Sequence, residues 1–581
     1  MPDFSREDLS GPKVDRRTAM QLFGAAGFSA TLAGCTGDDP DLDGDGTGNG
    51  TDDDTAPTED ELGGSIEAGW LMDQIQNLDP HFVNRGEQMA IHHNIHAALV
   101  RLDAEGNIVG ELAEDWELLD DTTYQFDLHE GVTFHNGDPL DAEAVQWSMN
   151  RLRDTEESPH FGKVESITNI DTPDETTVVI ELEEPLSPFL AFMTNAPGRA
   201  GTIVNRTALE EMGDDDYNFM PVGAGPFELV DRTPGESLTL EAYDDYFETD
   251  EEGNQLPYLD EIEINLIPES STIWSAFETQ EIEFAQALPA EQANQAEGRP
   301  DIQVEGTDQG YRAVSFLAKD PQEEPEWAVV AGNPDSVDEV TDAWEGEEIP
   351  TADPRVRRAL SKAIDREELV ERALMGWGIP AHSLWQPSVA MAYEEEPDPG
   401  QYYDPEAARE LLDEAGYTGD PRFEVEMLTR PGNDERVCTV IQDMWADVGV
   451  EITLNVQQPA GYWDTFYNYE SMVALTSSAT MIDPWMAWFR QLTTPTGEGN
   501  MGVWQKGLWS NEEFDELLLE SRATPDPDER MEVVREAEEI FMEEAPYAMT
   551  HFPLRPVGSH EDLSGVQLPV GLTNFHYARL E

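Results

Sequence analysis

The sequence predicts an α/β fold, because strand-like and helix-like segments alternate from Ser65 onward without an internal repeat. Residues 124–128 and Thr177–Leu182 alternate in side-chain character and are rich in β-branched and aromatic residues, which favours strands. Asp-Pro steps at 353–354 and 404–405 each open a helical pattern, with Asp as cap and Pro at the first helical position. At 581 residues the chain is long enough for two or three domains.

Three helices can be bounded by their start and stop signals. Apolar residues at three- and four-residue spacing predict one helix from Pro354 to a stop at Gly376, and a second from Pro405 to Gly416. Ser510 with Glu513 has the spacing of a capping box at the start of a third helix.

The N-terminus has the pattern of an export signal. Arg16 and Arg17 precede a short, weakly apolar run over residues 20–33, and the run ends in Leu-Ala-Gly-Cys35. The arginine pair indicates the twin-arginine route, and the last four residues resemble a lipobox whose cysteine becomes lipidated. We therefore expect residues 1–35 to be a signal and the mature protein to be lipid-anchored at the outer face of the cell membrane.

Residues 36–62 are rich in Asp, Gly and Thr, which predicts an acidic tether. Asp41 to Asn49 imitates the spacing of a calcium loop, but the final bidentate Glu is missing and no amphipathic helix flanks it. Calcium binding stays open beside the linker interpretation. Asn49 and Asn205 each begin a glycosylation sequon, a short motif that often arises by chance.

The charge composition is extreme. The chain carries 123 acidic residues against 32 Lys and Arg, a formal net charge of −91, and the acids are spread along its length. Such a surface repels itself unless salt screens it, which indicates a salt-rich environment. Nucleic acids and anionic membrane surfaces are poor partners for a protein of this charge. Cys438 is the only cysteine besides Cys35 and is predicted to be a buried small hydrophobe.

A catalytic constellation is missing from the sequence. It has no phosphate-loop, nucleophile-elbow or zinc-helix motif, so we expect neither enzymatic activity nor a cofactor. His92 and His96 are four residues apart and could share one helix face as metal ligands. The alternative is that both pack in the interior, and without an evident third ligand we expect no metal site.

Aromatic residues concentrate in the C-terminal half. The loop that leads to Asp483 and Trp485 combines aromatic side chains with a carboxylate, which suits a pocket for an extended organic ligand. Whether each aromatic residue belongs to a pocket or to the core stays open at this point. The residues concerned are Trp463, Trp485, Trp488, Trp504, Trp509, Tyr462, Phe466, Tyr467 and Tyr469.

Residues 65–581 contain a series of different motifs that follow one another in a characteristic order. The longest is Leu128-His-Glu-Gly-Val-Thr-Phe-His-Asn-Gly-Asp-Pro-Leu140, followed by Asp-Ala-Glu-Ala-Val145. The others span residues 78–81, 93–99, 221–227, 353–365, 407–417 and 511–517. Together they resemble the family 5 extracellular solute-binding proteins, the oligopeptide-, dipeptide- and nickel-binding subunits of ABC importers.

The resemblance implies a fold of the type II periplasmic-binding-protein class, in which two lobes joined by a hinge close on a ligand and an extra domain is inserted in the first lobe. Domain I is expected at residues 63–105, 221–312 and 546–581. Domain II is expected at residues 106–220 and domain III at residues 313–545. Residues 319–350, acidic and without clear periodicity, are expected to form an insertion loop of domain III.

The resemblance also implies ligand-binding positions. Asn84, Arg85 and Trp385 match pocket residues of the family. Thr480 aligns with the aspartate by which oligopeptide binders pair with a peptide ammonium, and Ser477 aligns with a characteristic tryptophan. A buried ammonium without a carboxylate is costly, so this departure disfavours a plain oligopeptide held by its N-terminus unless Asp483 replaces the missing group. Asp483 and Trp485 are therefore added as candidates.

The function that the resemblance implies is capture of an organic solute, most often a peptide, for an ABC permease and its ATPase. The receptor is expected to be a monomer that touches the membrane through its lipid alone. Alternative ligands are a nickel chelate, an oligosaccharide or another small organic solute. A ligand sensor is the alternative role.

Overall fold

The computed structural model describes residues 63–83, 86–104, 106–250, 252–321, 344–385, 402–479, 482–494, 502 and 507–581. The predicted signal with Arg16, Arg17 and Cys35 and the tether with its sequon at Asn49 lie outside the described residues. So do residues 322–343 of the predicted insertion loop and Trp504. Of the candidate ligand-binding residues, Asn84, Arg85 and Thr480 also lie outside them.

Within the described ranges the protein is mixed α/β, which confirms the predicted fold class. The strands are β1 Ser65–Trp70, β2 Val100–Leu102, β3 Ile108–Gly110, β4 Ala113–Asp120, β5 Thr123–Leu128, β6 Ile167–Asp171, β7 Thr177–Leu182, β8 Phe227–Thr233, β9 Ser237–Ala242, β10 Glu261–Leu266, β11 Phe284–Ala285, β12 Ile302–Asp308, β13 Tyr311–Phe316, β14 Gly378–Pro380, β15 Phe423–Thr429, β16 Val450–Val456, β17 Val473–Ser478, β18 Tyr547–His560, β19 Leu563–Ser564 and β20 Arg579–Leu580. The helices are Gly86–Ile95, Ala142–Arg153, Phe189–Phe192, Arg206–Met212, Asp214–Phe219, Ser270–Glu278, Ala290–Ala296, Pro354–Lys362, Arg366–Leu374, Pro405–Glu414, Asn433–Asp447, Pro459–Tyr467, Pro484–Leu492, Glu512–Ala523 and Pro527–Glu544. Short 3-10 helices span Phe161–Lys163, Pro350–Ala352 and Pro569–Gly571.

One large sheet organises most of the described chain. Its strand order is β16-β15-β17-β13-β18-β11-β1-β10-β9-β8, and β12 and β14 also pair with β18. The long strand β18 pairs antiparallel with β13 near its start and with β12 from Leu554 to His560. It thereby joins the half of the sheet built from β13 and β15–β17 to the half built from β1 and β8–β11.

A separate four-stranded antiparallel sheet has the order β4-β5-β7-β6. In β5 and β7 every second residue is buried, as the sequence alternation predicts. The buried side chains pack with the helix Ala142–Arg153, whose Asp141 cap accepts a hydrogen bond from the Ala144 amide at 2.9 Å. This unit therefore has its own apolar core beside the large sheet.

The predicted helix from Pro354 toward Gly376 is interrupted, and that prediction was wrong in its length. The chain forms two helices, Pro354–Lys362 and Arg366–Leu374. Asp365 is extended at φ −80° and ψ 102°, and its carboxylate accepts a hydrogen bond from the Glu368 amide at 2.9 Å. The apolar spacing continues across the break because both helices pack on one core, so periodicity alone could not reveal it.

The third predicted helix starts one residue later than its capping box indicates. Asn511 is the cap and accepts from the Phe514 amide at 3.0 Å, while the Ser510 hydroxyl accepts a hydrogen bond from Lys319 at 2.9 Å. The helix from Pro405 is confirmed and ends at Glu414.

Two single-residue interpretations are also resolved by burial. Cys438 is fully buried, as predicted, and burial raises the pKa of its thiol to about 12. Asn205 caps a helix, accepting from the Ala208 amide at 2.8 Å and donating to Asn136 at 3.1 Å. With 1% of its surface exposed, Asn205 has no room for a glycan in this folded state.

His92 and His96 share one face of a helix turn, and their rings stack with centroids 4.2 Å apart. Both are buried, and burial lowers the pKa of His92 to about 3. Among the described residues, no group of three His, Cys, Asp or Glu side chains could hold a metal ion. The two side chains pack in the protein interior.

Candidate functional site

A cavity of about 510 Å³ lies between two parts of the chain that are far apart in sequence. This volume is in the range of sites for small organic ligands. One wall comes from residues 159–199, which adjoin the four-stranded sheet, and the other from residues 463–547. The described lining residues are Pro159, His160, Gly162, Lys163, Glu165, Ser166, Leu186, Phe192, Pro197, Arg199, Trp463, Phe466, Tyr467, Thr476, Ser477, Ser478, Ala479, Trp485, Phe489, Arg490, Gln491, Arg522 and Tyr547.

The first wall is held together by hydrogen bonds to backbone carbonyls. The Lys163 ammonium donates to the carbonyl of Gly198. His160 Nε2 and Arg199 both lie on the Val83 carbonyl, at 2.7 and 3.3 Å. These hydrogen bonds hold the basic side chains in place against the backbone. They also place the backbone at Val83 at the edge of the cavity.

The second wall presents one strand end and one helix. Ser477 lies near the end of β17, and the helix Pro484–Leu492 carries Trp485, Phe489 and Arg490. Four-residue spacing places Trp485 and Phe489 on one helix face, where their rings stack at 4.3 Å. The cavity therefore has an aromatic surface bordered by polar groups.

A second aromatic group lies on the helix Pro459–Tyr467 and includes Trp463, Phe466 and Tyr467. The rings of Trp463 and Tyr467 stack at 5.5 Å, and Arg430 lies 5.3 Å from the Trp463 ring centroid. Large aromatic faces of this kind contact flat or apolar parts of organic ligands.

The two walls touch directly beside the cavity. Arg522 forms an ion pair with Glu184 at 3.1 Å, and the Ser187 amide donates to the Arg522 carbonyl at 2.8 Å. The Phe192 ring meets Trp485 edge-on at 6.2 Å. A ligand in the cavity would therefore contact both walls at once.

Basic groups dominate the electrostatics of the cavity. Burial lowers the pKa of Lys163 well below its usual value, and the positive charges of Arg199 and Arg490 lower it further. Burial also lowers the pKa of Arg199 to about 10. Glu165, which raises the pKa of Arg490 against the effect of burial, is exposed.

Of the described candidate residues, Ser477 and Trp485 line the cavity together. Trp385 does not line it. Its indole donates to Glu538 at 2.5 Å and lies 5.0 Å from the Trp488 ring, within another buried cluster. Trp488 and Trp509 belong to that same cluster, so the aromatic residues divide between cavity and core.

Asp483 is buried and fully engaged by the protein. Its carboxylate accepts two hydrogen bonds from Arg530, at 2.7 and 2.8 Å, and one from the Trp485 amide at 2.9 Å. A carboxylate held by a bidentate arginine has no remaining charge for a ligand ammonium. Asp483 therefore positions the helix of Trp485, and the idea that it replaces the missing aspartate is not supported by this geometry.

The basic residues of the cavity were missed at the level of sequence. Lys163, Arg199, Arg490 and Arg522 are far apart in the chain and form no motif. The chain has five lysines among 581 residues, and nothing in the sequence around Lys163 separates it from the other four.

Comparison with known proteins defines the class. A family model described as bacterial extracellular solute-binding proteins, family 5 middle, matches residues 107–500. The protein is therefore a substrate-binding component of the ABC-transporter type, and its family is one of solute-binding rather than enzymatic proteins. In particular, the chain belongs to the family 5 extracellular solute-binding proteins. Members of the family are extracellular or periplasmic.

Individual relatives agree over most of the chain. The glutathione-binding protein GsiB of Shigella flexneri serotype 5b is 27% identical over 485 residues, which cover 81% of this chain and 85% of that protein. The periplasmic binding protein DppA of Helicobacter pylori, solved with the peptide STSA, has a TM-score of 0.66 at 23% identity, covering 90% of this chain and 99% of DppA. AgaA of A. tumefacien R10, solved with agropinic acid, has a TM-score of 0.67 at 22% identity, covering 89% and 99%. These likenesses confirm the predicted periplasmic-binding-protein fold.

No helix in the described part of the chain is both long and apolar enough to cross a bilayer.

Proposed function

We propose that this protein is the receptor that captures an organic solute of the peptide class and delivers it to an ABC permease and ATPase. The cavity between two aromatic and polar walls carries this proposal, because a ligand held there touches both walls. The name of the GsiB relatives, glutathione-binding protein, and the peptide in the DppA complex support the peptide class.

The domain division predicted from the sequence is part of the proposal. Domain I would comprise residues 63–105, 221–312 and 546–581, domain II residues 106–220, and domain III residues 313–545. The cavity walls would then belong to domains II and III, except for Tyr547, which would belong to domain I. The crossing from β12 to β13 and the middle of β18, where pairing changes from β13 to β12, would form the hinge.

The proposed ligand site combines Ser477 and Trp485 with Asn84, Arg85 and Thr480. The Val83 carbonyl accepts hydrogen bonds from His160 and Arg199 of the cavity wall, which supports Asn84 and Arg85 as neighbours of the site. Thr480 follows the lining residue Ala479 directly.

Binding can be tested by titration calorimetry with a set of di- to pentapeptides at molar salt. Ala479→Trp, at an exposed residue of the cavity lining, obstructs the cavity and should abolish the binding found with the native chain. Ser271→Trp, on an exposed helix surface, is the matched control and should bind as the native chain does. Failure of every peptide to bind the native chain would contradict the peptide class.

The anchor and export route remain proposals from the sequence. Cys35 would carry the lipid, Arg16 and Arg17 would direct folded export, and the acidic surface would suit a salt-rich exterior. Cys35→Ser should release the protein into the medium or leave it unprocessed. A variant that stays membrane-bound and correctly trimmed would contradict the anchor.

A further inference from the structure

The cavity reverses the charge balance of the whole protein. The chain has 123 acidic residues against 32 Lys and Arg. Among the 23 described lining residues, four are Lys or Arg and one is acidic. The described lining therefore carries an excess of positive charge, in a molecule whose net charge is −91.

Two of these cations, Arg199 and Arg490, act on Lys163. Lys163 is within electrostatic range of both Arg199 and Arg490, and the repulsion disfavours its charged form. Arg199 is also desolvated, which costs free energy for any charge. Like charges gathered in a poorly solvated place are stabilised when an anion binds among them.

Buried hydrogen-bond donors add a second, independent observation. The Nε atoms of Arg199 and Arg522 and the indole Nε1 of Trp485 are buried and have no acceptor within hydrogen-bonding distance among the described residues. All three residues line the cavity, and all three atoms are donors. A buried donor without a partner is costly. Each of these atoms is itself shielded from solvent, so an acceptor oxygen of a ligand would satisfy it only after a small shift of the side chain.

Resting on the proposed function, we propose that the solute is net anionic, with more carboxylates than ammonium groups, and that a carboxylate lies among Lys163, Arg199 and Arg490. The flat or apolar part of the solute then lies against Trp485 and Trp463. An acidic peptide or a related acidic conjugate has this chemistry.

The same arrangement disfavours other charge classes. A ligand ammonium would need a desolvated carboxylate. In the described part of the site, Asp483 is neutralised by Arg530 and Glu165 is exposed beside Arg490. A neutral ligand would leave the repulsion between Lys163 and Arg199 unrelieved. Selectivity follows from this difference in free energy between ligands of equal shape.

The test uses probes in matched acid and neutral pairs, measured by titration calorimetry at molar salt. Gly-Glu-Gly and Gly-Gln-Gly differ by one acidic group, and glucuronate and glucose provide a pair outside the peptide class. We expect the acid member to bind about tenfold to a hundredfold tighter in whichever pair binds, the gain of a charge-assisted hydrogen bond. A neutral member that binds as tightly or more tightly would overturn the proposal.

Variants locate the effect. Lys163→Met should reduce the preference for the acid member to a few fold, and Arg490→Gln should reduce it with the hydrogen-bonding capacity partly retained. Lys362→Met, which removes the same charge at a residue outside the cavity lining, is the control and should keep the full preference. Thermal unfolding verifies that each variant is folded, and an unchanged preference in both folded cavity variants would overturn the proposal. Binding by no member of either pair would instead contradict the proposed function on which it rests.

Discussion

Asp483 and Arg530 form a buried ion pair beneath the helix that carries Trp485, and Asp483→Asn removes one charge of this pair. Both side chains are 5% exposed, and two hydrogen bonds of 2.7 and 2.8 Å join them. Neutralising one partner leaves the other buried and uncompensated, which costs about 3–5 kcal/mol. Asn caps helices as well as Asp does, so the cap on the Trp485 amide should persist and the loss should report the ion pair.

The free energy of unfolding can be measured by urea titration in about 2 M KCl, where surface charge is largely screened. The matched control is Asp443→Asn. Asp443 also pairs with an arginine, Arg372, at 2.6 Å, but its side chain is 60% exposed. We expect the control to lose less than about 1 kcal/mol, because exposed pairs contribute little.

The double variant Asp483→Asn with Arg530→Met completes the cycle. Its loss of stability should be smaller than the sum of the two single losses, because no unpaired charge then remains buried. The reasoning would be refuted if Asp483→Asn had the same urea midpoint of unfolding as the native chain and yet lost peptide binding. Such a result would assign the carboxylate to the ligand.

Three further predictions concern pH, salt and the aromatic wall. Burial raises the pKa of Glu111 to about 8 from its usual 4.5, so the folded state keeps a proton that the unfolded chain releases as pH rises between these values. The free energy of unfolding should therefore fall with rising pH. Glu111→Gln should remove about 2 kcal/mol of that fall between roughly pH 6 and 8. If the free energy of unfolding changed with pH equally in both chains, this prediction would be contradicted. With a net charge of −91, the thermal midpoint should rise steeply from about 0.1 to 1 M KCl and level off above it, whereas sucrose at equal osmolality should not reproduce the rise. Trp485→Ala should weaken binding of the tightest peptide about tenfold in a fluorescence titration, whereas Trp274→Ala, on a helix away from the cavity, should not.

Local signals in the sequence predicted much of the fold. Alternation placed β5 and β7, and the Asp-Pro step at 404–405 placed the start of its helix. The helix break at Asp365 could not be predicted, because in an acid-rich sequence an acidic helix cap cannot be distinguished from an acidic residue on a helix surface. Asn511 and Ser510 are both good caps, and only the tertiary contact of Ser510 with Lys319 separates them.

The candidate site was predicted only in part, because it is assembled from segments more than 250 residues apart. Ser477 could be predicted from the family resemblance, and Trp485 from the combination of aromatic side chains and a carboxylate in its loop. Lys163 and Arg199 could not be found in this way, because their role depends on which charges lie beside them in space. Asp483 was chosen for its charge, but the sequence gives no sign that Arg530, 47 residues away, neutralises it.

The most direct test of the account is a crystal structure of the protein bound to the acidic probe with the highest affinity. We predict the solute between the two walls, with a carboxylate oxygen within hydrogen-bonding distance of Lys163 or Arg490 and its body against Trp485. A solute bound outside this cavity, or inside it with its ammonium group among these cations, would contradict the account.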